Sequence, residues 1–391
     1  VRPFDVAVIG GGIAGCSAAL HLRQRGASVV LLERGQCGTQ ASGVNYGGVR
    51  QQGRHEAELP LSQRSRAIWA RLPELVDSDC EFVVTGHIKL ARSDRDMAEL
   101  EAYAHKAAAH GVTLELIGNK KLRDRYPWLG MSVVGGSFCA DDGQANPRLV
   151  TPALARAARA MGANIRQSSA VVNAVHRGNG FELLLDSGGT VRSRALINSA
   201  GAWGATIAAM FGEDVPEEVM APNMCVTGPV PYFIEPNLGV VGGDIYIRQI
   251  PRGNVIFGSG LGEADRAAIR AFPSPDVTTD AARLAVALVP RLAHAQLIRT
   301  WSGIEGRMPD GLPVLGLSST TPGLVHGFGF SGHGFQLGLA VGAVLAELAL
   351  DGEPKTPIGE FAIARFLDRQ STRPNGTKPI PSKAIEEAKH A

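Results

Sequence analysis

The sequence predicts an α/β chain (α+β overall), in which a parallel, helix-covered sheet is interrupted by an inserted, mainly antiparallel β domain. Three observations predict it. A strand, a glycine turn, a helix and a second strand open the chain within about thirty residues, the size of a βαβ unit. Glycine-rich strand ends recur near residues 200 and 330, far from the first. Between about 217 and 298 the texture turns β-rich, with many Pro and Gly.

Residues 4–9 (Phe-Asp-Val-Ala-Val-Ile) read as a buried parallel strand, 13–25 as a helix and 28–32 as the second strand. The stretch 35–55 is rich in Gly, Gln, Ser and Asn and reads as a long functional loop. Helices are expected at 60–75, 94–110 and 148–161, and strands within 81–91, split by Gly86. Residues 127–143 are short and turn-rich. Strands follow at 171–175, 181–185, 195–198 and 323–328, and a buried helix at 335–350. These elements divide the chain into 1–82 with 146–216 and 299–370 for the first domain, and 83–145 with 217–298 for the inserted one. Residues 371–391, polar and lysine-rich, read as a flexible tail. There is no internal repeat.

Composition bounds the function. Hydrophobic residues at 45% and charged residues at 19% suit a globular chain with a large core. Thirty-nine basic against 37 acidic residues give no reason to expect nucleic acid or an anionic membrane as partner. Cys16, Cys37, Cys80, Cys139 and Cys225 are scattered and form no C-x-x-C, so buried free thiols are expected, with no metal or iron–sulfur site. No basic, apolar, small-residue leader precedes the first strand. The run from Phe335 to Leu350 falls short of about 18 apolar residues. The expectation is a cytoplasmic chain with no transmembrane segment.

The strongest motif is Gly10-Gly11-Gly12-Ile13-Ala14-Gly15, which follows a strand, opens a helix and is followed by Glu33 at the end of the next strand. Gly10 makes the turn, Gly12 lets backbone approach a pyrophosphate, and Gly15 lets helix and strand pack. The helix N-terminus offers free N–H groups and the positive end of a dipole. Glu33 suits the hydroxyls of an unphosphorylated ribose. The motif therefore predicts a dinucleotide in a Rossmann-type domain; spacing alone does not separate NAD from FAD.

That opening block, Val171-Val172, Asn198-Ser199-Ala200-Gly201-Ala202-Trp203, Met308 to Gly316 and Gly327 to Phe335 together resemble the D-amino-acid oxidase superfamily, in its glycine oxidase and sarcosine oxidase branch. The resemblance spans most of residues 4–350. It implies FAD in a discontinuous Rossmann-type domain and a substrate domain built on an antiparallel sheet. It would put Gly10, Gly12, Gly15, Glu33 and Arg34 on the ADP half, Ser42 near the pyrophosphate and Val172 near the adenine. Ala200 and Gly201 would lie against the cofactor, and Gly329, Gly332, His333 and Gly334 along its flavin end. Ile13, Ala14, Gly47, Gly48, Trp203, Gly306, Arg307, Phe335 and Gln336 complete the expected cofactor contacts. The sarcosine oxidase type holds its flavin on a cysteine before Asp-Gly-x-Pro; this chain has none after Cys225, so FAD is expected to be noncovalent.

The substrate side departs from the pattern. Where the resemblance implies a carboxylate-binding arginine, this chain has Glu305; where it implies a lysine after Gly-His-Gly-Phe, it has Gln336. Candidate replacements are Arg307, Arg50, Arg54 and Arg248; Tyr246 and Arg248, on a strand whose period of two puts both on one face, are candidates for substrate contact. Glu305 either favours a cationic group on the substrate or pairs with Arg307. His333 either serves as a base or contributes only backbone shape. The expected reaction is oxidation of a C–N bond of an amino acid or a primary or secondary amine, with oxygen or a redox partner as electron acceptor. The alternatives are the catalytic β-like subunit of a hetero-oligomeric opine or hydroxyproline dehydrogenase, and a flavoprotein acting on a hydroxy acid or in a non-amine role.

Overall fold

A computed structural model describes residues 2–367. The tail expected at 371–391 lies outside them. The first strand, Phe4–Ile9, is central, paired in parallel with Thr190–Asn198 on one side and Val29–Leu32 on the other. A strand with neighbours on both edges and both faces covered has no reason to alternate, hence its apolar run. Leu324–Phe328 and Asn164–Arg166 extend the parallel sheet outward, Val314–Leu317 closes one edge antiparallel, and Gly180–Leu185 with Val171–Arg177 form an antiparallel excursion.

One face of this sheet is covered by helices Ile13–Gln24, Pro147–Ala160 and Gly334–Asp351, with Leu59–Ala70 packed outside the last. Gly334–Asp351 is the one described helix long and apolar enough to cross a membrane by length and composition. In this fold every residue from Phe335 to Leu348 is buried.

The second sheet has eight strands in the order Leu297–Trp301, Pro222–Pro229, Asn254–Leu261, Tyr246–Gln249, Asn237–Val240, His87–Ala91, Gly135–Cys139 and Glu115–Gly118. All its pairings are antiparallel except Asn237–Val240 with His87–Ala91. Its apolar face, including Ile88, Leu90, Leu238, Ile247 and Phe257, forms a separate core against the helix Pro275–Leu288.

Three expectations need correction. Only His87–Ala91 forms a strand within 81–91; Val83 makes a single bridge to Gln144 because Gly86, at φ +76°, breaks the run. The β-rich segment contains the helix Pro275–Leu288, started by Ser274, whose hydroxyl accepts from Val277 N–H, and by Pro275 in the first turn. The strand Glu115–Gly118 and helix Asn119–Arg125 fill a stretch with no assigned element. All five cysteines are free and buried.

Candidate active site

A cavity of about 1110 Å³ runs from the N-terminus of the first helix to the polar face of the second sheet. Pockets for ordinary small ligands hold roughly 300–1,000 Å³, so this one suits an extended cofactor with a substrate beside it.

At the nucleotide end the backbone leaves no room for side chains. A Cβ on Gly10, at φ +104°, would lie 2.4 Å from Ser199 O, and one on Gly15 would lie 2.0 Å from Gly10 O. Gly12, Ile13, Ala14 and Ser42 line the cavity. The helix has no side-chain cap and no acidic residue in its first turn. Ile13 N–H donates to Ser42 Oγ (3.0 Å). A helix N-terminus with no acidic residue in its first turn, facing a large cavity, fits a pyrophosphate. The Glu33 carboxylate accepts from Gly11 N–H (2.6 Å) and Gly35 N–H (2.7 Å), at the end of the second strand. Arg34 stacks on the Trp203 ring, 3.4 Å from its centroid. Gly10, Gly15, Glu33, Arg34, Ala200 and Trp203 stand behind the lining, whereas Gly201 is part of it. Val172 lies outside it, exposed on an outer strand.

At the other end, Gly47, Gly48, Gly306, Gly329, Gly332, His333, Gly334 and Phe335, all expected cofactor contacts, line the cavity. Gln336 also reaches it, but its amide is committed elsewhere: Oε1 accepts from Ser62 Oγ (3.0 Å) and Nε2 donates to Ser62 O (2.9 Å). Both ends of its amide are used to tie two helices together.

His333 does more than shape the backbone. Its Nδ1 lies 2.9 Å from the fully buried Glu58 carboxylate. Burial, with Arg54 nearby, pushes the imidazole down to about 4. Burial raises the Glu58 carboxyl, but the hydrogen bond from His333, the nearby Arg54 charge and the His55 N–H hold it below the usual range. The pair is thus a neutral imidazole donating Nδ1–H to a carboxylate, a geometry that fixes one tautomer.

Glu305 lies on the short strand Glu305–Arg307, with Oε2 3.9 Å from where a Cβ on Gly332 would stand. Burial alone pushes its carboxyl up to about 7. Arg307 is exposed at the cavity rim, and among the described residues the two form no ion pair. The ion-pair alternative is therefore set aside.

Tyr246 and Arg248 do share a face, but Tyr46 stands between them, its ring 4.9 Å from that of Tyr246 and 5.4 Å from the Arg248 guanidinium. Tyr246 faces the main cavity. Arg248 faces a smaller one of about 240 Å³ and donates to Gln144 Oε1 (2.9 Å) and Ala145 O. It is removed from the main cavity by the 43–47 loop, which Trp301 Nε1 holds by donating to Val44 O (2.7 Å).

Arg50 and Arg54 both line the main cavity. Arg54 is buried; its Nε donates to Arg50 O, and its Nη1 has no partner. Sequence reasoning missed Lys89, His87, Tyr46 and Met224, all in the lining. For His87 and Lys89 a signal existed: they alternate with Ile88 and Leu90, as on a half-buried strand. No local pattern says that the polar face looks into a cavity.

A family model described as FAD dependent oxidoreductase matches residues 5–348. An opine oxidase subunit of Rhizobium meliloti is 25% identical over 379 residues, covering 94% of this chain and 99% of that protein. Glycine oxidase of Geobacillus kaustophilus (strain HTA426) is 27% identical over 379 residues, covering 94% and 98%. Among solved structures, L-proline dehydrogenase from P. horikoshii superposes with a TM-score of 0.87 at 27% identity, covering 94% of this chain and 99% of that one.

Proposed function

The chain belongs to the FAD dependent oxidoreductase family, and from that premise we propose that it oxidises a C–N bond of an amino acid or a primary or secondary amine. Bound FAD supplies the two-electron acceptor for the hydrogen on the carbon next to nitrogen, and the product is an imine that hydrolyses to a carbonyl compound and an amine or ammonia.

The observation that carries the reading is Glu305, a cavity-lining carboxylate that forms no ion pair among the described residues. An amine arrives protonated at neutral pH and must lose that proton before its C–H bond can be oxidised. A carboxyl pushed up to about 7 is suited to attract the ammonium and take the proton. Burial of the site lowers the ammonium's own pKa and helps the transfer. The neutral His333, fixed by Glu58, keeps a second positive charge out of the same end of the cavity. Arg50 and Arg54 supply guanidinium donors for a carboxylate.

The test is anaerobic bleaching of the bound flavin by matched pairs, each an amino acid and its decarboxylated amine. Bleaching by either member supports C–N oxidation; bleaching by the amino acid alone gives the arginines a substrate carboxylate. No bleaching by any amine overturns the reading.

A second reading rests on the end-to-end similarity to the opine oxidase subunit, whose name makes it part of a larger assembly. In it, this chain is the catalytic β-like subunit and a partner accepts the electrons. Co-purification of a stoichiometric partner, with flavin reoxidation slow in oxygen and fast when the partner is added, is the outcome it requires.

A further inference from the structure

The second sheet carries a row of registered residues across the cavity. Lys89 pairs with Gly239, Gly239 with Tyr246, and Tyr246 with Gly258. Registered partners point to one face, so this row forms part of the cavity floor. Two interstrand spacings put Lys89 and Tyr246 about 10 Å apart at the backbone.

The ends of the row differ in charge. Beside Tyr246 lies Glu305, whose charge raises the phenol's pKa further above its ordinary value after burial has done most of the work. At the other end, Lys89 Nζ and Arg50 Nη1 stand 3.7 and 3.1 Å from where a Cβ on Gly53 would be. Burial lowers the Lys89 pKa, Arg50 lowers it further, and the one opposing influence is the exposed Glu99. Among the described residues neither cation forms an ion pair. The buried carboxylates nearby are engaged: Glu58 with His333, and Asp142 with the N–H groups of Gln51 (2.7 Å) and Gln52 (3.2 Å).

His87 completes this end. Gln52 Nε2 lies 2.9 Å from its Nδ1 and burial holds the ring neutral, so the network assigns the proton to Nε2. That nitrogen is 3.1 Å from where a Cβ on Gly239 would be, above the middle of the row. Tyr246 leans the other way, over Gly258, and its hydroxyl contacts Met224 Sδ at 3.2 Å. The strip between the acidic and basic ends thus carries no side chain at Gly239 itself. Arg54, with its unpartnered Nη1, lies beside Arg50.

We propose that the substrate carries a carboxylate on an arm several bonds away from the oxidised carbon, held by Lys89 and Arg50 while its nitrogen lies at Glu305. This deepens the C–N reading and rests on it for the nitrogen end only. The substrate class is an amine with a remote carboxylate.

The test uses the flavin-loaded enzyme and two quaternary ammonium ions, which have no nitrogen lone pair with which to form an imine. One is 4-(trimethylammonio)butanoate; the other, butyltrimethylammonium, lacks the carboxylate. Binding is read from the change in flavin absorption. The carboxylated ion should bind at least tenfold more tightly, the scale of a charge-assisted hydrogen bond. Lys89→Met should remove that advantage while leaving affinity for butyltrimethylammonium unchanged, and Lys89→Arg should keep it. Equal affinities in the unaltered enzyme, or an advantage that survives Lys89→Met, overturn the proposal. If no amine bleaches the flavin yet the Lys89-dependent advantage is present, the reaction assignment fails and the anion site stands; bleaching without the advantage means the reverse.

Discussion

Glu305 keeps a proton that an exposed glutamate would have lost, because burial disfavours its charged form and no cation among the described residues forms an ion pair with it. Two consequences are measurable with Glu305→Gln. The first is catalytic: flavin reduction by an ammonium substrate should fall on the order of a hundredfold at pH 7, and an inflection near 7 should vanish from the rate profile. A rate unchanged across pH 6 to 8 would remove Glu305 from proton transfer. The second is thermodynamic. A carboxyl raised in the folded state contributes stability that is complete below its unfolded pKa of about 4.3 and is lost as pH rises through the folded value near 7. At pH 8 Glu305→Gln should therefore be more stable than the unaltered protein by about 1–3 kcal/mol, and near pH 4 little different. Urea unfolding at the two pH values checks the sign. Little of this was legible in the sequence, which offers Glu305 and Arg307 two residues apart and leaves an ion pair open. Folding sends Arg307 to the rim and leaves Glu305 inside.

The fold depends on one helix pair as much as on its sheets. Gly334–Asp351 crosses Ile13–Gln24 so closely that a Cβ on Gly342 would stand 2.3 Å from the Ser17 side chain and 2.5 Å from Ala18 N. Ser17 Oγ also donates to Leu339 O (2.9 Å). Gly342→Ala should cost about 1–3 kcal/mol, as overpacking does. It should also weaken flavin retention, because Ile13 opens the displaced helix into the cavity. Denaturation midpoint and flavin content measured together check both effects; a shift in neither would mean that the helices separate without penalty. Elements of this kind were readable, since a long apolar run before Asp351 and a strand–glycine–helix opening are local patterns. The helix Pro275–Leu288 was missed although Ser274-Pro275-Asp276 is an N-terminal signal, because the surrounding strands set the reading of the whole segment.

At the scale of the molecule, two sheets with separate cores meet around one cavity, where FAD would bind, and the absence of a cysteine after Cys225 leaves it without the tether of the sarcosine oxidase type. Acid precipitation should therefore release all the flavin into the supernatant as FAD; yellow colour in the pellet would contradict noncovalent attachment. Four of the five cysteines precede the strand that carries Cys225, and no cysteine is in the lining of the main cavity.

The sequence by itself determined the family, and through the family resemblance the cofactor; it also marked where a dinucleotide's phosphates are expected, because a pyrophosphate is bound by backbone. Backbone geometry of that kind demands glycines at fixed spacing, and Gly10, Gly12 and Gly15 record it within six residues. It also showed that two familiar carboxylate-binding positions hold Glu305 and Gln336 instead. What replaces them only the tertiary structure decided. It turned Gln336 into a link to Ser62, moved Arg248 behind Tyr46, paired His333 with Glu58 and set Lys89 beside Arg50. Those contacts join residues from segments far apart in the chain, and their charges are set by burial and by one another. No local pattern of residue types encodes either.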